Sequence, residues 1–438
     1  MRDDVVIIGG GLAGSEAAWQ AANRGAKVTL CEMRPKEMTQ AHKTGGLAEL
    51  VCSNSLGSTD LLNAPGILKE EMRRLNSLII RVADEVRVPA GSALAVDREQ
   101  FSLNITSALE GHPKIRVLHE EITEVPTDCL CILATGPLTS DKLSQAIARL
   151  THTKHLYFYD AISPIVDADS INMDIAFFAS RYAKGGNDYL NCPMDESAYN
   201  AFYDALLGAD KVQPKEFEKT AYFEGCIPIE VMAERGRQTM QFGPLKPVGL
   251  ENPKTGVRAY AVVQLRTENA HRSCYNLVGF QTKLTYGEQK RVFRMIPGLE
   301  QAEFLRYGSL HRNTFINSPL LLRDTLQFKT RSTLFFAGQL VGVEGYTDSA
   351  AMGGLAGINA ARSLAGLSLV TPPPTTAHGC LVSHVTTTDP RHFQPMNMNF
   401  GLFPPLATPT KDRDRKRRLT GQRALEDLTA WMTQSELS

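Results

Sequence analysis

The sequence lacks the long apolar runs that a membrane-spanning protein needs. No segment approaches the roughly 20 consecutive apolar residues required to cross a bilayer. The first ten residues, MRDDVVIIGG, place acidic residues before a short apolar run, which is neither the charge order nor the length of a signal peptide. We therefore expect a cytoplasmic protein that has no membrane partner.

The cysteines lack the spacing of a metal site or of a disulfide framework. Eight are present, at positions 31, 52, 129, 131, 192, 226, 274 and 380, and no CxxC pair occurs among them. Cytoplasmic thiols are normally reduced. Cys129 and Cys131 fall in an apolar strand pattern, where a thiol behaves as a small hydrophobic group. The sequence therefore predicts no metal site and mostly inert thiols.

A net charge is also absent, because 47 Lys and Arg residues balance 47 Asp and Glu residues. A nucleic-acid partner would therefore have to be bound by a local basic patch. The 43% hydrophobic and 21% charged residues are typical of a globular protein. At 438 residues, the chain is long enough for two domains or for one domain with a large insertion.

The N-terminal segment carries a nucleotide-binding pattern. The apolar run at 5–8 enters a GxGxxG turn, an alanine-rich helical stretch ending at Gly25 follows, and a second strand ends at Glu32. Gly9 permits the tight turn, Gly11 lets the backbone approach a pyrophosphate, and Gly14 allows close helix–strand contact. The predicted cofactor-binding residues of this unit are Gly9, Gly10, Gly11, Leu12, Ala13, Gly14 and Glu32, whose carboxylate is placed to accept hydrogen bonds from ribose hydroxyls.

Two later segments indicate which nucleotide is bound. A strand at 129–137 ends in Ala134-Thr135-Gly136, and a strand at 333–339 ends in Gly338-Gln339 before a helical stretch. Both segments resemble FAD-dependent oxidoreductases with two dinucleotide-binding domains, a family that often has Gly-Asp at the second position. The resemblance implies that the late helix points its N-terminus at the flavin. From residue type, Thr347 or Asp348 is expected to cap this helix. The predicted cofactor-binding residues of these segments are Thr135, Gly136, Gly338, Gln339 and Asp348.

The amino-acid composition of the chain changes in its middle third. Between about 150 and 305, Tyr, Phe, Val and Thr alternate with Pro and Gly, which predicts a β-rich insertion. We therefore expect an α/β fold, a Rossmann-like FAD-binding domain formed by residues 1–150 and 305–438, with an α+β insertion domain at 151–304. A proline-rich segment begins at 371, and the basic run KDRDRKRR at 411–418 opens a last helix.

Ordered blocks along nearly the whole chain resemble one family, the folate- and FAD-dependent tRNA (uracil-5-)-methyltransferases. The blocks include CEMRPKEMTQAH (31–42), ELVCSNSLG (49–57), VPAGSALAVDREQFS (88–102), FEGCIPIE (223–230), FGPLKPVGL (242–250), HRNTFINSP (311–319) and FQPMNMNFGL (393–402). The resemblance implies that 5,10-methylenetetrahydrofolate supplies a carbon unit through reduced FAD. NADH or NADPH would be the reductant, and the product would be 5-methyluridine at T-loop position 54 of tRNA.

The chemistry of this family requires a thiol. C5 of uracil is a poor nucleophile, but addition of a thiolate at C6 produces an enolate that attacks a one-carbon electrophile from C5. Cys226 matches the nucleophile of the family, with Glu224 and Glu230 nearby in sequence for proton handling. Cys52 matches a second functional cysteine near the flavin. Basic and glycine residues in the matched blocks, with roles in folate or RNA binding left open, are Gly57, Arg98, Lys246, Arg266, His311 and Arg312.

Several alternatives stay open at this point. A relative that methylates ribosomal RNA by the same folate chemistry would carry nearly the same residues. A flavin-carrying RNA-binding protein without methyl transfer is disfavoured by the pair Cys52 and Cys226. An S-adenosylmethionine methyltransferase with a glycine-rich turn is disfavoured by the ATG and AGQ segments. The basic run at 411–418 fits contact with RNA backbone or an exposed start of a helix equally well.

Overall fold

The computed structural model describes residues 4–39, 41–152, 156–161, 163–183, 186–212, 227–269, 271–308, 310–408 and 410–437. Cys226 and Glu224 lie outside these ranges. Within them, no helix combines the length and apolar character needed to cross a membrane.

The short apolar runs of the sequence form a parallel five-stranded sheet. Its strands are fully paired in register with one another and are largely buried, as expected when both faces of a parallel sheet are covered. The order across the sheet is β16-β7-β1-β2-β6. The strands, numbered in chain order, are β1 (Val5–Ile8), β2 (Val28–Glu32), β6 (Ile115–His119), β7 (Leu130–Leu133) and β16 (Leu334–Phe336).

Two helices from opposite ends of the chain pack against each other on this sheet. They are α1 (Leu12–Asn23) and α11 (Tyr346–Leu364). A Cβ atom at Gly353 would lie 2.1 Å from the Ala13 carbonyl oxygen, and one at Gly357 would lie 2.4 Å from the Ala17 carbonyl oxygen. The absence of side chains at these glycines therefore allows the two backbones to approach closely.

The middle of the chain forms a second, antiparallel sheet of six strands in the order β10-β11-β12-β13-β9-β14. Its strands are β9 (Ile165–Asp167), β10 (Phe177–Ala179), β11 (Tyr189–Met194), β12 (Ala261–Thr267), β13 (Cys274–Leu277) and β14 (Phe304–Arg306). The helices α6 (Glu196–Leu207), α7 (Ile229–Glu234), α8 (Thr239–Phe242) and α9 (Tyr286–Phe293) accompany it. This unit has a hydrophobic cluster of its own, separate from the cluster around the parallel sheet.

Smaller elements complete the fold. A three-stranded sheet contains β3 (Ser55–Ser58), β4 (Arg87–Val88) and β5 (Ala93–Val96), and a two-stranded sheet pairs β8 (Leu156–Ala161) with β15 (Leu310–Phe315). The remaining helices are α2 (Ala64–Arg74), α3 (Leu78–Glu85), α4 (Arg98–Glu110), α5 (Asp141–Thr151), α10 (Ser318–Leu321), α12 (Ala377–Thr387) and α13 (Arg413–Gln434).

The predicted fold class is confirmed. The opening strand–turn–helix–strand is β1, α1 and β2, and Gly25 directly follows the C-cap of α1 with φ +100°. The predicted strands at 129–137 and 333–339 are β7 and β16, each shorter than its apolar pattern. The late helix and the last helix are α11 and α13.

Candidate active site

A cleft of about 970 Å³ opens where three strands of the parallel sheet end. It is bordered by the turns that follow β1, β7 and β16, which are adjacent in the sheet. A crevice at the carboxyl ends of parallel strands is the place where doubly wound folds bind ligands. The predicted residues on its wall are Gly9, Gly11, Leu12, Ala13, Glu32, Thr135, Gly136 and Gln339.

The N-terminus of α1 faces this cleft. Gly11 is its N-cap and supplies no side-chain cap, so the first N–H groups of the helix are available to an anion. A Cβ atom at Gly11 would have no neighbour within 4 Å, whereas one at Gly14 would lie 1.8 Å from the Gly9 carbonyl oxygen. Gly11 therefore borders open space, and Gly14 borders backbone.

The carboxylate of Glu32 stands at the wall of the cleft and is held from two sides. Its Oε2 accepts from the Gly10 amide at 2.7 Å, and its Oε1 accepts from the Arg34 amide at 3.0 Å and from Arg34 Nε at 2.8 Å. Burial opposes ionisation, but the hydrogen bonds and charge of Arg34 lower the pKa of Glu32 below its ordinary value. A fixed, ionised acceptor is thus available to hydroxyl groups in the cleft.

Arg34 connects this carboxylate to a second one. The Arg34 side chain is buried, and its Nη1 donates to Glu49 Oε2 at 3.1 Å. Burial and the charge of Arg34 lower the pKa of the neighbouring His42 to about 4, so this imidazole on the wall of the cleft is neutral at pH 7. Its Nδ1 lies 2.6 Å from Thr39 Oγ1.

The turn after β7 supplies hydroxyls and an open glycine. Thr135 Oγ1 lies 2.6 Å from Thr139 Oγ1, and both residues border the cleft. Gly136 has φ +65°, and a Cβ atom there would have no neighbour within 4 Å. On the opposite side, Gln339 Nε2 donates to Glu344 Oε2 at 2.8 Å.

The start of α11 differs from the prediction. The N-cap is Gly345, with φ +109° and no side-chain cap, so the prediction that Thr347 or Asp348 caps this helix is wrong. Asp348 lies in the first turn, is buried, and accepts from the Met398 amide at 2.5 Å. A Cβ atom at Gly345 would lie 2.8 Å from Asp348 Oδ2, and the left-handed φ favours glycine there.

Asp348 and Lys69 form a buried charged neighbourhood outside the cleft wall. Burial raises the pKa of Asp348 to about 6 and lowers the pKa of Lys69 to about 8, while each opposes the shift of the other through its charge. Lys69 Nζ donates to the carbonyls of Ser58 and Pro65 at 3.1 and 3.2 Å. Gly57, with φ +81°, lies beside this ammonium group.

Cys52 is attached to the cleft through Tyr346. The phenol oxygen of Tyr346 accepts from the Cys52 amide at 2.7 Å and from the Ser53 amide at 3.2 Å. Tyr346 and Val51 both border the cleft, and Cys52 is half-buried. The loop that carries the thiol is therefore fixed to the first residue of α11 at the edge of the cleft.

Arginines surround the Cys52 loop and join it to the antiparallel sheet. Arg98 lies within salt-bridge distance of Glu268, with 2.7 Å between Nη2 and Oε2, and also donates to the Leu50 carbonyl. Arg266, at the end of β12, donates to Asn54 Oδ1 at 2.9 Å and to Ser53 Oγ at 2.6 Å. Burial lowers the pKa of Arg266, an effect that Glu268 opposes. The two guanidinium groups are thus bonded to Glu268, Asn54 and Ser53, and they hold the Cys52 loop against the antiparallel sheet.

The other candidate residues occupy different environments. Glu230 is fully buried and accepts from Thr282 Oγ1 and from the Lys283 amide, so its carboxylate holds the fold together locally. Lys246 Nζ lies 6.0 Å from the ring centre of Tyr182 and does not border the cleft. His311 and Arg312 lie on β15, whose backbone pairs with β8.

Sequence reasoning missed Tyr346, Arg34 and Glu268. Tyr346 was visible only as the residue after Gly345 in the late turn, and Arg34 only as a member of a matched block. Their contacts join residues 294 and 15 positions apart, from Tyr346 to Cys52 and from Arg34 to Glu49. A pattern that reports local periodicity carries no signal for such contacts.

The residues of the cleft fit FAD. Open space beside Gly11 accommodates a pyrophosphate near the unpaired amides of α1, and ionised Glu32 provides an acceptor for ribose hydroxyls. The start of α11 also borders the cleft through Tyr346 and Ser349, where a helix N-terminus favours negative charge. In the described part of the chain, His, Cys, Asp and Glu do not gather in groups of three that would hold a metal ion.

Comparison with known proteins identifies the family of the chain. The family model "Glucose inhibited division protein A" matches residues 4–368. A methylenetetrahydrofolate–tRNA-(uracil-5-)-methyltransferase TrmFO from Geobacter sulfurreducens is 59% identical over 433 residues, which cover 99% of each chain. The protein of the same name from Geotalea daltonii is 60% identical over 432 residues, or 98% of each chain.

Solved structures agree on the fold. The Aquifex aeolicus GidA structure in its form II crystal has a TM-score of 0.71 and 18% identity, covering 100% of this chain and 75% of that one. The form I crystal gives 0.70 at the same identity. The chain therefore belongs to the glucose inhibited division protein A family and, within it, to the family of the TrmFO proteins.

Proposed function

We propose that this chain methylates C5 of a T-loop uridine, at position 54, in tRNA, with 5,10-methylenetetrahydrofolate as carbon donor and NADH or NADPH as reductant. The reaction takes place in the cytoplasm, where these substrates occur. FAD, when bound in the cleft, carries the one-carbon unit and supplies the reducing electrons. Gly11, Glu32 and Thr135 are the residues of the cleft that would hold this cofactor.

The observation that carries the proposal is the attachment of the Cys52 loop to Tyr346. A dinucleotide cleft alone fits any flavoprotein or dehydrogenase. A half-buried thiol fixed at its edge, beside Arg98 and Arg266, fits a reaction on a base that is brought to the flavin. The identity to proteins named for tRNA uracil methylation extends over nearly the whole chain, which supports tRNA as the substrate.

In this proposal the two cysteines divide the chemistry. The thiolate of Cys226 adds to C6 of uracil, and C5 then forms a bond to the one-carbon unit. The C5 proton then leaves, and the bond between the carbon and its carrier breaks. A hydride that originates from NADH or NADPH and would be supplied through reduced FAD converts the methylene to a methyl group. Cleavage of the sulfur–C6 bond releases the product base and regenerates the thiolate. Cys52, at the edge of the cleft, handles the C5 proton or protects the reactive carbon. The target uridine must leave the folded loop to meet both groups.

The first experiment tests the donor and the RNA. Purified enzyme is incubated with an unmodified tRNA transcript, with NADPH and either methylenetetrahydrofolate or S-adenosylmethionine. We expect 5-methyluridine with the folate only. A ribosomal RNA transcript serves as the parallel substrate, because methylation of that RNA and not of tRNA would favour the alternative assignment. A protein that binds FAD and tRNA but forms no 5-methyluridine would contradict methyl transfer altogether.

The second experiment tests the nucleophile. In a transcript carrying 5-fluorouridine, fluorine cannot leave as a cation, so the adduct between sulfur and C6 persists. Wild type should give a slow protein–RNA band on a denaturing gel, and Cys226→Ala should give neither the band nor product while retaining FAD. Cys274→Ala is the control, because burial raises the pKa of this thiol to about 11 and it lies outside the matched cysteine blocks. An adduct in Cys226→Ala would move the role to Cys52.

A further inference from the structure

A column of aromatic rings emerges from the antiparallel sheet and ends in solvent. The rings of Tyr286 and Tyr307 are stacked, with centres 4.9 Å apart and planes inclined by 20°. Tyr307 is stacked in turn on Phe304 at 5.3 Å and 16°, and Phe304 contacts the buried ring of Phe293. Tyr286, at the outer end, is 61% exposed. A large ring is thus held in water with one face covered by the column.

Buried hydrogen bonds hold the column rigid. Gln289 lies three residues after Tyr286 on α9 and is fully buried. Its Nε2 donates to the Gly308 carbonyl at 2.9 Å, and its Oε1 accepts from the Gly308 amide at 2.7 Å. These two bonds fix the segment that carries Tyr307 against the helix that carries Tyr286. A rigid ring with one covered and one exposed face is the arrangement on which unpaired nucleic-acid bases stack.

The column stands next to the chain segments that lead to the Cys226 region. The Val212 amide donates to the Lys283 carbonyl at 2.7 Å, and the Ile229 amide donates to the Gln281 carbonyl at 2.7 Å. The described residues on both sides of 213–226 are therefore attached to residues 281–283. Tyr286 follows three residues after Lys283. The exposed ring is in this way close to where the segment of the proposed nucleophile begins and ends.

The column is also connected to the flavin cleft. From Tyr307 the chain continues through β15 to Thr314, whose amide donates at 3.2 Å to the carbonyl of Pro137 on the cleft wall. Thr314 is seven positions after Tyr307, so their Cα atoms lie at most about 25 Å apart. A tRNA arm that delivers one base to the cleft would bring neighbouring loop bases within reach of Tyr286.

The charges around Tyr286 suit a nucleic acid. Lys290 lies four residues later on α9, on the same face of the helix as Tyr286, and is exposed. The acidic neighbour Glu288 is engaged by Arg291, with 2.5 Å between Nη2 and Oε2. A cation able to meet a backbone phosphate therefore stands beside the ring. Two carboxylates are near it, and Arg291 pairs with Glu288 and also interacts with the charge of Asp210.

We propose that Tyr286, supported by Tyr307 and Phe304, is the stacking platform for an unpaired base of the tRNA loop that contains the target uridine. This inference rests on the proposed function, because it needs tRNA as the substrate. An exposed aromatic face beside the ammonium group of Lys290 favours a ligand that combines a planar base with an adjacent phosphate. An apolar peptide segment would gain nothing from Lys290 beside the ring.

The first test compares Tyr286→Ala and Tyr286→Phe as full-length, FAD-loaded enzymes. Binding of unmodified tRNA transcript is measured by fluorescence anisotropy at fixed salt. Tyr286→Ala should weaken affinity about ten- to a hundredfold, because loss of one base–aromatic stack has this size. Tyr286→Phe should stay within about twofold of wild type, since it keeps the ring. Leu367→Ala, an exposed apolar residue just beyond the end of α11, is the control and should bind normally.

The second test observes stacking directly. Tyr286→Trp should lose fluorescence when the tRNA transcript is added, because a stacked base quenches indole emission, whereas Leu367→Trp should not. Three outcomes would each contradict the stacking platform. They are an equal tRNA affinity of Tyr286→Ala and wild type, an equal loss of affinity in Tyr286→Ala and Tyr286→Phe, and unchanged fluorescence of Tyr286→Trp at saturating tRNA. Failure of the proposed function is distinguishable, because wild type itself would then form no 5-methyluridine on the transcript.

Discussion

Two glycines of one turn show how differently single residues contribute to the cleft. Gly11 borders open space, so a side chain there occupies the volume required by a pyrophosphate without disturbing the fold. We expect Gly11→Val to be purified as a folded, colourless protein. Its melting temperature should match that of wild type freed of FAD, and its absorbance at 450 nm should be lost.

The matched variant is Gly14→Val. A Cβ at this position overlaps the Gly9 carbonyl oxygen at 1.8 Å, so β1 and α1 must separate. This variant should be insoluble or unfold at a lower temperature than Gly11→Val. Equal stability of the two variants, or a yellow Gly11→Val, would contradict the geometry of the turn.

Asp348 predicts a pH dependence of stability. Burial raises its pKa from 3.8 to about 6 in the folded protein. Below pH 3.8 the carboxyl is protonated in both the folded and the unfolded state, so it does not lower the stability of the fold. Above pH 6 it is ionised in both states, and the full free-energy cost of burying the charge destabilises the folded protein. The shift of about two units corresponds to about 3 kcal/mol. Because Asn does not ionise, the free energy of unfolding of Asp348→Asn relative to wild type should rise by about that amount from pH 4 to pH 7.

Urea unfolding at steps of one pH unit measures this difference. The exposed Leu367→Ala neither adds nor removes an ionisable group, so it is the control and should show a difference that does not change with pH. A flat difference for Asp348→Asn as well would mean that the buried carboxylate keeps its ordinary pKa, through Lys69 or through the amide of Met398.

Among single residues, those in local motifs were predictable and those in long-range contacts were not. Gly9, Gly11, Glu32 and Thr135 reach the cleft wall because each is the last residue of a strand or lies within three residues after one, and the sequence patterns report strand ends. The contact of Tyr346 with Cys52 joins the first residue of α11 to a loop 294 residues earlier in the chain, and no spacing rule predicts such a contact.

At the scale of elements, α13 has a charge distribution that opposes its own dipole. Arg413, Arg415, Lys416 and Arg418 are exposed in its first two turns, where a helix favours anions. Arg417 lies over the ring of Phe400, in the segment whose Met398 amide contacts Asp348. We propose that this end of α13 contacts the tRNA backbone beside the start of α11.

The corresponding prediction concerns salt. Replacing Arg415, Lys416 and Arg418 by Gln should weaken tRNA binding and reduce the slope of log affinity against log salt by about 0.7 to 0.9 for each phosphate that the variant no longer binds. Titrations between 50 and 200 mM salt measure the slope. Arg149→Gln on α5, which removes an exposed cation paired with Glu124, should leave the slope unchanged. An unchanged slope in the triple variant would exclude α13 from the RNA interface.

Element types followed well from periodicity, and element ends followed less well. The apolar patterns at 129–137 and 333–339 continue past β7 and β16, because the cleft turns are also lined by apolar residues. Residue type predicts Thr347 or Asp348 as the cap of α11. The N-cap is instead Gly345, with a positive φ, and the Asp348 carboxylate accepts from the Met398 amide. Tertiary contacts decided these ends.

At the scale of the whole molecule, Asn54 joins the Cys52 loop to the antiparallel sheet, next to the contact of Arg98 with Glu268. The side chain of Asn54 accepts a hydrogen bond from Arg266 Nε and donates to the carbonyls of Val96 and Thr267. The Cys52 loop is therefore hydrogen-bonded to β12. The division into domains at 1–150, 151–304 and 305–438 stays a prediction. The hydrogen bonds of Asn54 to Arg266 and Thr267 connect the first of these domains to the second.

Arg266→Ala should keep FAD but lower kcat for tRNA methylation by at least tenfold. The reason is that Asn54 Oδ1 and Ser53 Oγ, next to Cys52, lose the buried guanidinium group that donates to them. Arg266→Lys should recover part of the rate. Arg237→Ala removes a surface ion pair with Asp204 in the same antiparallel unit and should leave kcat unchanged. A rise in KM alone, with kcat intact, would assign Arg266 to substrate binding.

The packing of α1 on α11 has a consequence for biosynthesis. Gly353 contacts Ala13 across 340 residues, and β16 covers an edge of β7 that is made about 200 residues earlier. At 5 to 20 residues per second, α1 waits roughly 20 to 70 s for α11 to be synthesised, and β7 waits roughly 10 to 40 s for β16. During that time the edge of β7 and the face of α1 that carries Ala13 and Ala17 are exposed to chaperones or to aggregation. Flavin capture must therefore be a late event, completed after synthesis of more than three quarters of the polypeptide.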